Sequence, residues 1–355
     1  MPTKPNRAGE QQNYVPKGNG DASGEYGDNE SGSNVHFKAF KKPEETATTT
    51  GISVKVAKTP KAAETTNTAG TPKVDDNMDA STLVKETIGK SQLNEKNKAN
   101  FFDGFSKGTK EAQNDIGNLL KKLPLKYGLA NRAVFSGGNT IKLEPKKANA
   151  RTEDSFYHEH YHAIDYLYSQ DNNDGLGKKY ASRSVKLSSG KTLQETLQEE
   201  YQNADALKEI RDILDNYEGY RGAVDNYNKA LKEYVVIKRA DARFEEVWGN
   251  YRQALKTYNE FEGKRFEAYG NLADILCQAT RGEAFEDYGG HKKSYWRNGR
   301  NTSEEFFAEA GQMLATGKDT EEAKIAERLF PKSFGAVKEL LGLIRTGKVK
   351  RGAQN

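Results

Sequence analysis

Residues 158–165 read His-Glu-His-Tyr-His-Ala-Ile-Asp and contain three of the five histidines of this 355-residue chain. The stretch includes the pattern His-Glu-x-x-His, which on a helix is typical of zinc hydrolases. A helix advances about 100° per residue, so the side chains of His158 and His162 lie one turn apart on one face and can bind the same Zn²⁺ ion. The side chain of His160 points away from them. We therefore predict that this stretch is helical and that it carries the functional site.

The composition of the chain limits both its core and its partners. Hydrophobic residues make up 35% of the chain and the mean hydropathy is -0.92, so we expect part of its length to be extended or disordered. The 55 Lys and Arg residues against 51 Asp and Glu give a net charge of +4, which is too balanced to indicate a specific nucleic-acid partner. The single cysteine, Cys277, excludes an internal disulfide and a zinc site made of thiolates. The N-terminal sequence has no apolar signal segment, and no apolar stretch is long enough for a membrane span, so we expect no signal peptide and no membrane partner.

The order of apolar and polar residues predicts a tail followed by one domain. Residues 1–80 are rich in Gly, Ser, Thr, Asn, Lys and Pro, which predicts a disordered tail. Residues 81–350 have mostly helical spacing of apolar residues, and two short strands are expected at residues 133–135 and 141–143. Regularly spaced Leu and Tyr residues in 190–265 predict a helical hairpin, or short coiled coil, inserted in the domain. The predicted fold class is α+β, mostly helical, with a small sheet next to the metal-binding helix.

A third metal ligand must come from elsewhere, because two histidines alone bind zinc weakly and a catalytic site also needs an open position for water. The segment 305–310, Glu-Phe-Phe-Ala-Glu-Ala, is the best source, since Glu305 and Glu309 lie four residues apart on one helix face. Asp165 is a competing candidate, because it follows His162 by three residues and lies on the same face. Spacing alone leaves Glu305, Asp165 and Glu309 open.

Three motifs together resemble a known family of zinc peptidases. They are His-Glu-x-x-His-Ala-Ile-Asp at 158–165, Gly290-His291 with Tyr295-Trp296, and Glu-Phe-Phe-Ala-Glu-Ala at 305–310. This set is similar to the peptidase domain of anthrax lethal factor and to the metallopeptidase-like domains of phage head and mobile-element proteins. The resemblance covers about residues 95 to 345, with 190–265 as an insertion, and it implies a zincin-like fold of the gluzincin type.

The resemblance also implies a role for each motif residue. The implied zinc ligands are His158, His162 and Glu305, the general base is Glu159, and Glu309 supports the ligands from behind. Zinc lowers the pKa of a bound water from about 15.7 to about 7, so that Glu159 can take its proton. The resemblance thus implies a metalloendopeptidase that acts on a protein or peptide substrate.

Other residues are expected to assist this chemistry. The catalytic tyrosine of lethal factor corresponds here to Asn298, whereas Tyr295 fits the pattern of the phage-type relatives, so either Tyr295 or His291 is expected to donate a hydrogen bond to the oxyanion. Asp165 is expected to accept the free ring N–H of a ligand histidine and to fix its tautomer.

The resemblance suggests a phage or mobile element as the source of the chain. We therefore expect it in the cytoplasm of a bacterial host or in the virion, with phage head proteins as candidate partners. The alternative function is that of a virion or assembly protein, in which the zincin-like fold is a binding module and the helical insertion and tail contact the partner. An intact metal site would favour catalysis, whereas a site covered by the insertion or the tail would favour the structural role.

Overall fold

The computed structural model describes residues 78–131, 133–135, 138–144, 152–169, 180–288, 290–291, 293–296, 302–317 and 319–350. The predicted disordered tail, apart from its last three residues, lies outside the described residues, and so does Asn298. The described part of the chain is mostly helical and contains a small three-stranded sheet. This confirms the predicted mixture of many helices and one small sheet.

The helices and strands follow each other in chain order. The strands are β1 (Lys126–Leu129), β2 (Val134–Phe135) and β3 (Thr140–Leu143). The helices are α1 (Ala80–Gly89), α2 (Glu95–Ser106), α3 (Lys110–Lys122), α4 (Thr152–Leu167), α5 (Ala181–Ser184), α6 (Leu193–Glu200), α7 (Ala204–Asp215), α8 (Tyr220–Val236), α9 (Phe244–Ala279), α10 (Phe285–Tyr288), α11 (Thr302–Gln312), α12 (Glu321–Leu329) and α13 (Pro331–Arg345). A π-helical turn, Met313–Gly317, continues α11. No helix in the described ranges combines the length and the apolar character that a membrane crossing requires.

The small sheet packs beside helix α4. Its strand order is β1-β3-β2, with β1 parallel and β2 antiparallel to β3. Strands β2 and β3 confirm the two predicted strands, and Gly138 between them has a φ of +61°, which favours glycine. Strand β1 was not expected from the sequence, because it is short and only Tyr127 in it is buried. Among the described strands, β1 and β2 each pair with β3 alone, so these two are the edge strands of the sheet.

Helix α4 crosses the centre of the core and packs closely against α11. Its apolar face, which includes Phe156, Tyr161 and Ile164, is almost completely buried. The approach to α11 depends on Gly311, because a Cβ atom at that position would lie 2.6 Å from Cγ of Tyr161. This contact brings the acidic first turn of α11, which contains Glu304 and Glu305, over the histidine face of α4.

The helical hairpin forms a separate packing unit. Helices α8 and α9 pack on each other through a small cluster centred on Tyr220, Tyr227 and Tyr258. The boundaries predicted for the insertion, residues 190–265, differ from this arrangement, because α6 and α7 contribute their apolar residues to the main core. Non-helical backbone angles at Tyr269 kink α9, and the part beyond the kink returns to the main core. The hairpin therefore comprises α8 and the first part of α9.

Candidate metal centre

The predicted histidine pair lies on α4, and Glu305 reaches it from α11. The Nε2 atoms of His158 and His162 are 3.0 Å apart, as expected for residues four apart on one helix. The Oε2 atom of Glu305 lies 3.5 Å from Nε2 of His158 and 3.4 Å from Nε2 of His162. The three atoms thus form a nearly equilateral triangle. They come from two helices, α4 and α11, that are separated by more than 130 residues of sequence.

The triangle has the dimensions of a zinc site. Zinc binds nitrogen and oxygen ligands at about 2.0–2.1 Å in tetrahedral geometry, which separates the ligand atoms by about 3.3 Å. The Oε2 atom of Glu305 is buried and makes no hydrogen bond, although it lies within ion-pair distance of both imidazoles. A cation in the triangle would satisfy this atom, so the donor set fits zinc in both chemistry and spacing.

The charges of Glu305 and His162 stabilise each other. Burial raises the pKa of the Glu305 carboxyl, but the charge of His162 and the contacts with both histidines outweigh burial and hold that pKa well below its usual range. Burial lowers the pKa of His162, but the Glu305 carboxylate outweighs it and raises this pKa to about 9. A divalent cation that binds here takes the place of the His162 proton, because a ligand imidazole must be neutral.

The structure places Asp165 away from the donor triangle. Asp165 is completely buried and accepts two hydrogen bonds of 2.7 Å from Ser182, one from the backbone N–H and one from the hydroxyl. Burial, together with the nearby charge of Glu304, raises the pKa of Asp165 to about 7. In the described residues, the donor groups that could hold an ion include Glu305 and do not include Asp165. The hydrogen bonds of Asp165 therefore attach α5 to α4, and neither of them comes from a ligand histidine.

Glu309 occupies the position behind His158. Its Oε1 atom lies 3.5 Å from Nδ1 of His158, the ring nitrogen that does not face the triangle. Burial and the neighbouring charge of Asp274 raise the pKa of Glu309 well above its usual range. Glu309 can thus orient the ring of His158. The sequence had led us to expect this role for Asp165.

His160 has a structural role, in agreement with its predicted direction. It is completely buried, and its Nδ1 atom lies 2.6 Å from the carbonyl oxygen of Phe156 while its Nε2 atom lies 2.7 Å from the hydroxyl of Tyr127. Burial lowers the pKa of His160 to about 4, so the ring is neutral at neutral pH. A neutral ring that donates from Nδ1 and accepts at Nε2 satisfies both contacts and attaches β1 to α4.

Glu159 connects helix α4 to strand β2. Its side chain is buried, and its carboxylate accepts a hydrogen bond from the backbone N–H of Phe135 in β2. Burial raises its pKa, whereas the charges of His158 and His162 lower it by less. A raised pKa makes a carboxylate a better proton acceptor than an ordinary Glu side chain.

Tyr295 and His291 both reach the site, from the segment between α10 and α11. The Tyr295 hydroxyl donates a hydrogen bond to Oε1 of Glu305, the oxygen that does not face the histidines. The ring of His291 stacks on that of Tyr295, with centroids 4.1 Å apart. Burial and the charge of Glu305 raise the pKa of Tyr295 well above its usual value, so its hydroxyl keeps its proton at neutral pH. Both predicted candidates for the oxyanion donor therefore lie on the same side of Glu305.

Asp274 is a site residue that the sequence analysis missed. It lies on the core part of α9, and its Oδ1 atom is 3.2 Å from Nδ1 of His291. Gly290 has a φ of +88°, and a Cβ atom there would lie 2.6 Å from Oδ1 of Asp274, so glycine is required for this approach. The only local signal was one acidic residue within the apolar run Leu272–Leu276.

No protein-family model, no curated protein and no solved structure matches the chain. The resemblance to lethal factor-like peptidases remains a prediction that rests on the motif residues.

Proposed function

We propose that this chain is a zinc-dependent metalloendopeptidase. The observation that carries the proposal is the triangle formed by two imidazole nitrogens and one buried carboxylate oxygen, whose edges of 3.0, 3.4 and 3.5 Å match tetrahedral zinc. The Oε2 atom of Glu305, which has no hydrogen-bond partner, supports a cation at this place. His158, His162 and Glu305 would hold the ion and leave a fourth position for water or substrate.

A zinc ion held there supplies Lewis acidity, which polarises the substrate carbonyl and lowers the pKa of a water molecule to about 7. Glu159 accepts the proton of the attacking water and then gives it to the leaving amine. Its burial supports this role, because a raised pKa brings the carboxylate closer to the pH at which it exchanges protons efficiently.

Strand β2 lies at the edge of the sheet beside Glu159, because the Glu159 carboxylate accepts a hydrogen bond from the backbone N–H of Phe135. An extended peptide that lies along this edge would therefore pass the proposed general base. Backbone pairing at a sheet edge recognises the main chain of the substrate, which favours an endopeptidase over an enzyme that acts on small molecules.

Tyr295 is the residue best placed to stabilise the oxyanion. Its hydroxyl contacts Glu305 directly and keeps its proton, so a rotation of the side chain can direct the O–H group at the substrate. His291 packs against the Tyr295 ring and is held by Asp274, which limits the directions in which Tyr295 can move.

The experiment that tests the proposal measures zinc content and cleavage together. The full chain would be equilibrated with Zn²⁺ and incubated with an unfolded protein substrate, and products would be identified by mass spectrometry. We expect Glu159→Gln to retain zinc and to lose cleavage by about a thousandfold, because it removes a general base but no metal ligand.

Glu153→Gln is the matched control, because Glu153 lies on the same helix and pairs with Lys107 at the surface. It should keep both zinc and cleavage. Cleavage by Glu159→Gln at the rate of the unaltered chain would refute the proposed mechanism.

The second candidate function is that of a phage assembly protein that uses the zincin-like domain as a binding module. The observation that favours it is the end of the hairpin, where the side chains of Val235 and Val236 are 54% and 78% exposed. A concavity of about 530 Å³ lies beside them, lined in part by Ile237 and Val247. A chain that binds zinc but leaves every tested protein intact would favour this second function.

A further inference from the structure

The cluster around the donor triangle contains more buried carboxyl groups than one divalent ion requires. Glu159, Asp274, Glu305 and Glu309 are only 5%, 8%, 3% and 4% exposed. One zinc ion in the triangle uses the Glu305 carboxylate and balances one further negative charge. Asp274 and Glu309 remain on the far side of Glu305, where Asp274 is paired with His291.

A second set of donor atoms lies on that far side. Asp274, His291 and Glu305 each offer one ligand atom, and these atoms all lie within 4.8 Å of one another. Two donors on opposite sides of one ion are separated by about twice the bond length, roughly 4 to 5 Å for bonds of about 2.0 to 2.5 Å. These three donors could hold one ion, and Nδ1 of His291 lies 3.2 Å from Oδ1 of Asp274.

We propose that Asp274, His291 and Glu305 bind a second divalent cation, with Glu305 bridging the two ions. The proposal rests on the metal site of the proposed function, because the bridge requires an ion in the first triangle. The two oxygens of Glu305 support a bridge, since Oε2 faces the histidine pair whereas Oε1 faces Tyr295, whose ring stacks on His291.

Glu309 supplies an independent observation in favour of the second cation. Its Oε2 atom is buried and has no hydrogen-bond partner. The charge of Asp274 and a hydrogen bond with it raise the pKa of Glu309, so the two carboxyl groups are neighbours. The Oε2 atom of Glu309 therefore gives the second ion a further oxygen donor.

The donor types define the class of cation. The second set contains carboxylates and one imidazole, whereas the first contains two imidazoles and one carboxylate, so the second is richer in oxygen. Carboxylate oxygens and an imidazole nitrogen are both donors that zinc accepts, so we expect a second zinc ion at this position when zinc is supplied. Two ions that share a carboxylate in enzymes are about 3.5–4 Å apart.

The test is the number of zinc ions that the full chain binds. The chain would be stripped with a chelator, dialysed against Zn²⁺ and analysed by elemental mass spectrometry. We expect two zinc ions per chain, and one in Asp274→Asn, which keeps the size of the side chain but removes its charge. Asp115→Asn is the matched control, because Asp115 is a buried carboxylate that pairs with Arg345 and is not among the donor groups, so this variant should keep both ions.

Each outcome decides the proposal. One zinc ion in both the unaltered chain and Asp274→Asn would overturn the second site and leave the proposed peptidase intact, whereas no zinc in either would overturn both. Loss of all zinc in Asp274→Asn would also overturn the second site, because Asp274 would then support only the first site. If Asp274→Asn fails to fold, X-ray absorption of the unaltered zinc-loaded chain decides: a metal–metal distance of about 3.5–4 Å supports the bridge, and its absence refutes it.

Discussion

The helix pair α4–α11 and the helical hairpin α8–α9 are both close helix contacts, but they bury opposite kinds of groups. Between α4 and α11 lie imidazoles and carboxylates, and Glu305 has a buried oxygen with no hydrogen-bond partner. Between α8 and α9 lie stacked rings, such as Tyr227 on Tyr258 with centroids 5.1 Å apart. The buried charges of the hairpin, Glu262 and Arg265, are 2.7 Å apart and compensate each other.

Packing alone explains the buried rings of the hairpin, but it does not explain the buried carboxylates and imidazoles between α4 and α11. Stacked tyrosines in the hairpin bury apolar area and need no ligand. A buried set of carboxylates and imidazoles lowers stability unless a partner compensates its charge, so such a set indicates a binding function. The comparison therefore predicts that metal affects the first helix pair and leaves the second unchanged.

The largest expected effect is on metal affinity when Glu305 is changed to Ala. Protein zinc sites bind with about 10 kcal/mol or more, so the loss of one of three protein ligands should weaken binding by about 3 kcal/mol, which is more than a hundredfold. Calorimetric titration with Zn²⁺ would measure this loss. Asp165→Asn should retain most of the affinity, because both hydrogen bonds of Asp165 come from Ser182. The reverse order of the two variants would assign the third ligand to Asp165.

The next effect concerns the hairpin alone. Tyr227→Ala should destabilise the α8–α9 contact by about 3 kcal/mol, because it removes a buried aromatic ring, and zinc content should not change. Hydrogen exchange of the α8 and α9 amides would detect the change. Tyr227→Phe, which keeps the ring, is the control. Loss of zinc in Tyr227→Ala would show that the two regions are coupled.

Removal of the metal should produce a slightly smaller effect, limited to the other helix pair. At a free Zn²⁺ concentration of about 100 times the Kd, binding stabilises the folded chain by about 2.7 kcal/mol, and a chelator abolishes this gain. Thermal unfolding with and without chelator measures the difference. Amide exchange in the hairpin should stay the same. An unchanged melting temperature would argue against a metal between α4 and α11.

The smallest effects come from two glycines, one in each region. Gly311→Ala should destabilise the chain by about 2 kcal/mol, because the new Cβ atom would meet the Tyr161 ring. Gly249→Ala in the hairpin should stabilise it by about 0.5–1 kcal/mol, because Gly249 is helical and nothing lies within 4 Å of its added Cβ atom. Urea unfolding would measure the free energy of unfolding of both variants. Equal changes in this free energy would show that α4 and α11 are less tightly packed than described.

The pattern of residues alone predicted the features that depend on local geometry. The helix over 158–165 and the two strands around Gly138 are confirmed, and the spacing of His158 and His162 already implied that their rings lie side by side. These features follow from the helical period of 3.6 and from turn chemistry, which involve residues close in sequence.

Only the tertiary structure decided which distant groups meet. Spacing left Glu305, Asp165 and Glu309 open as the third ligand, and the packing of α11 on α4 at Gly311 brings Glu305 to the histidine pair. Asp274 and strand β1 could not be identified, because their positions depend on partners far away in the chain. Local periodicity determines which residues share a face, whereas the packing of one face against another determines which of them share a site.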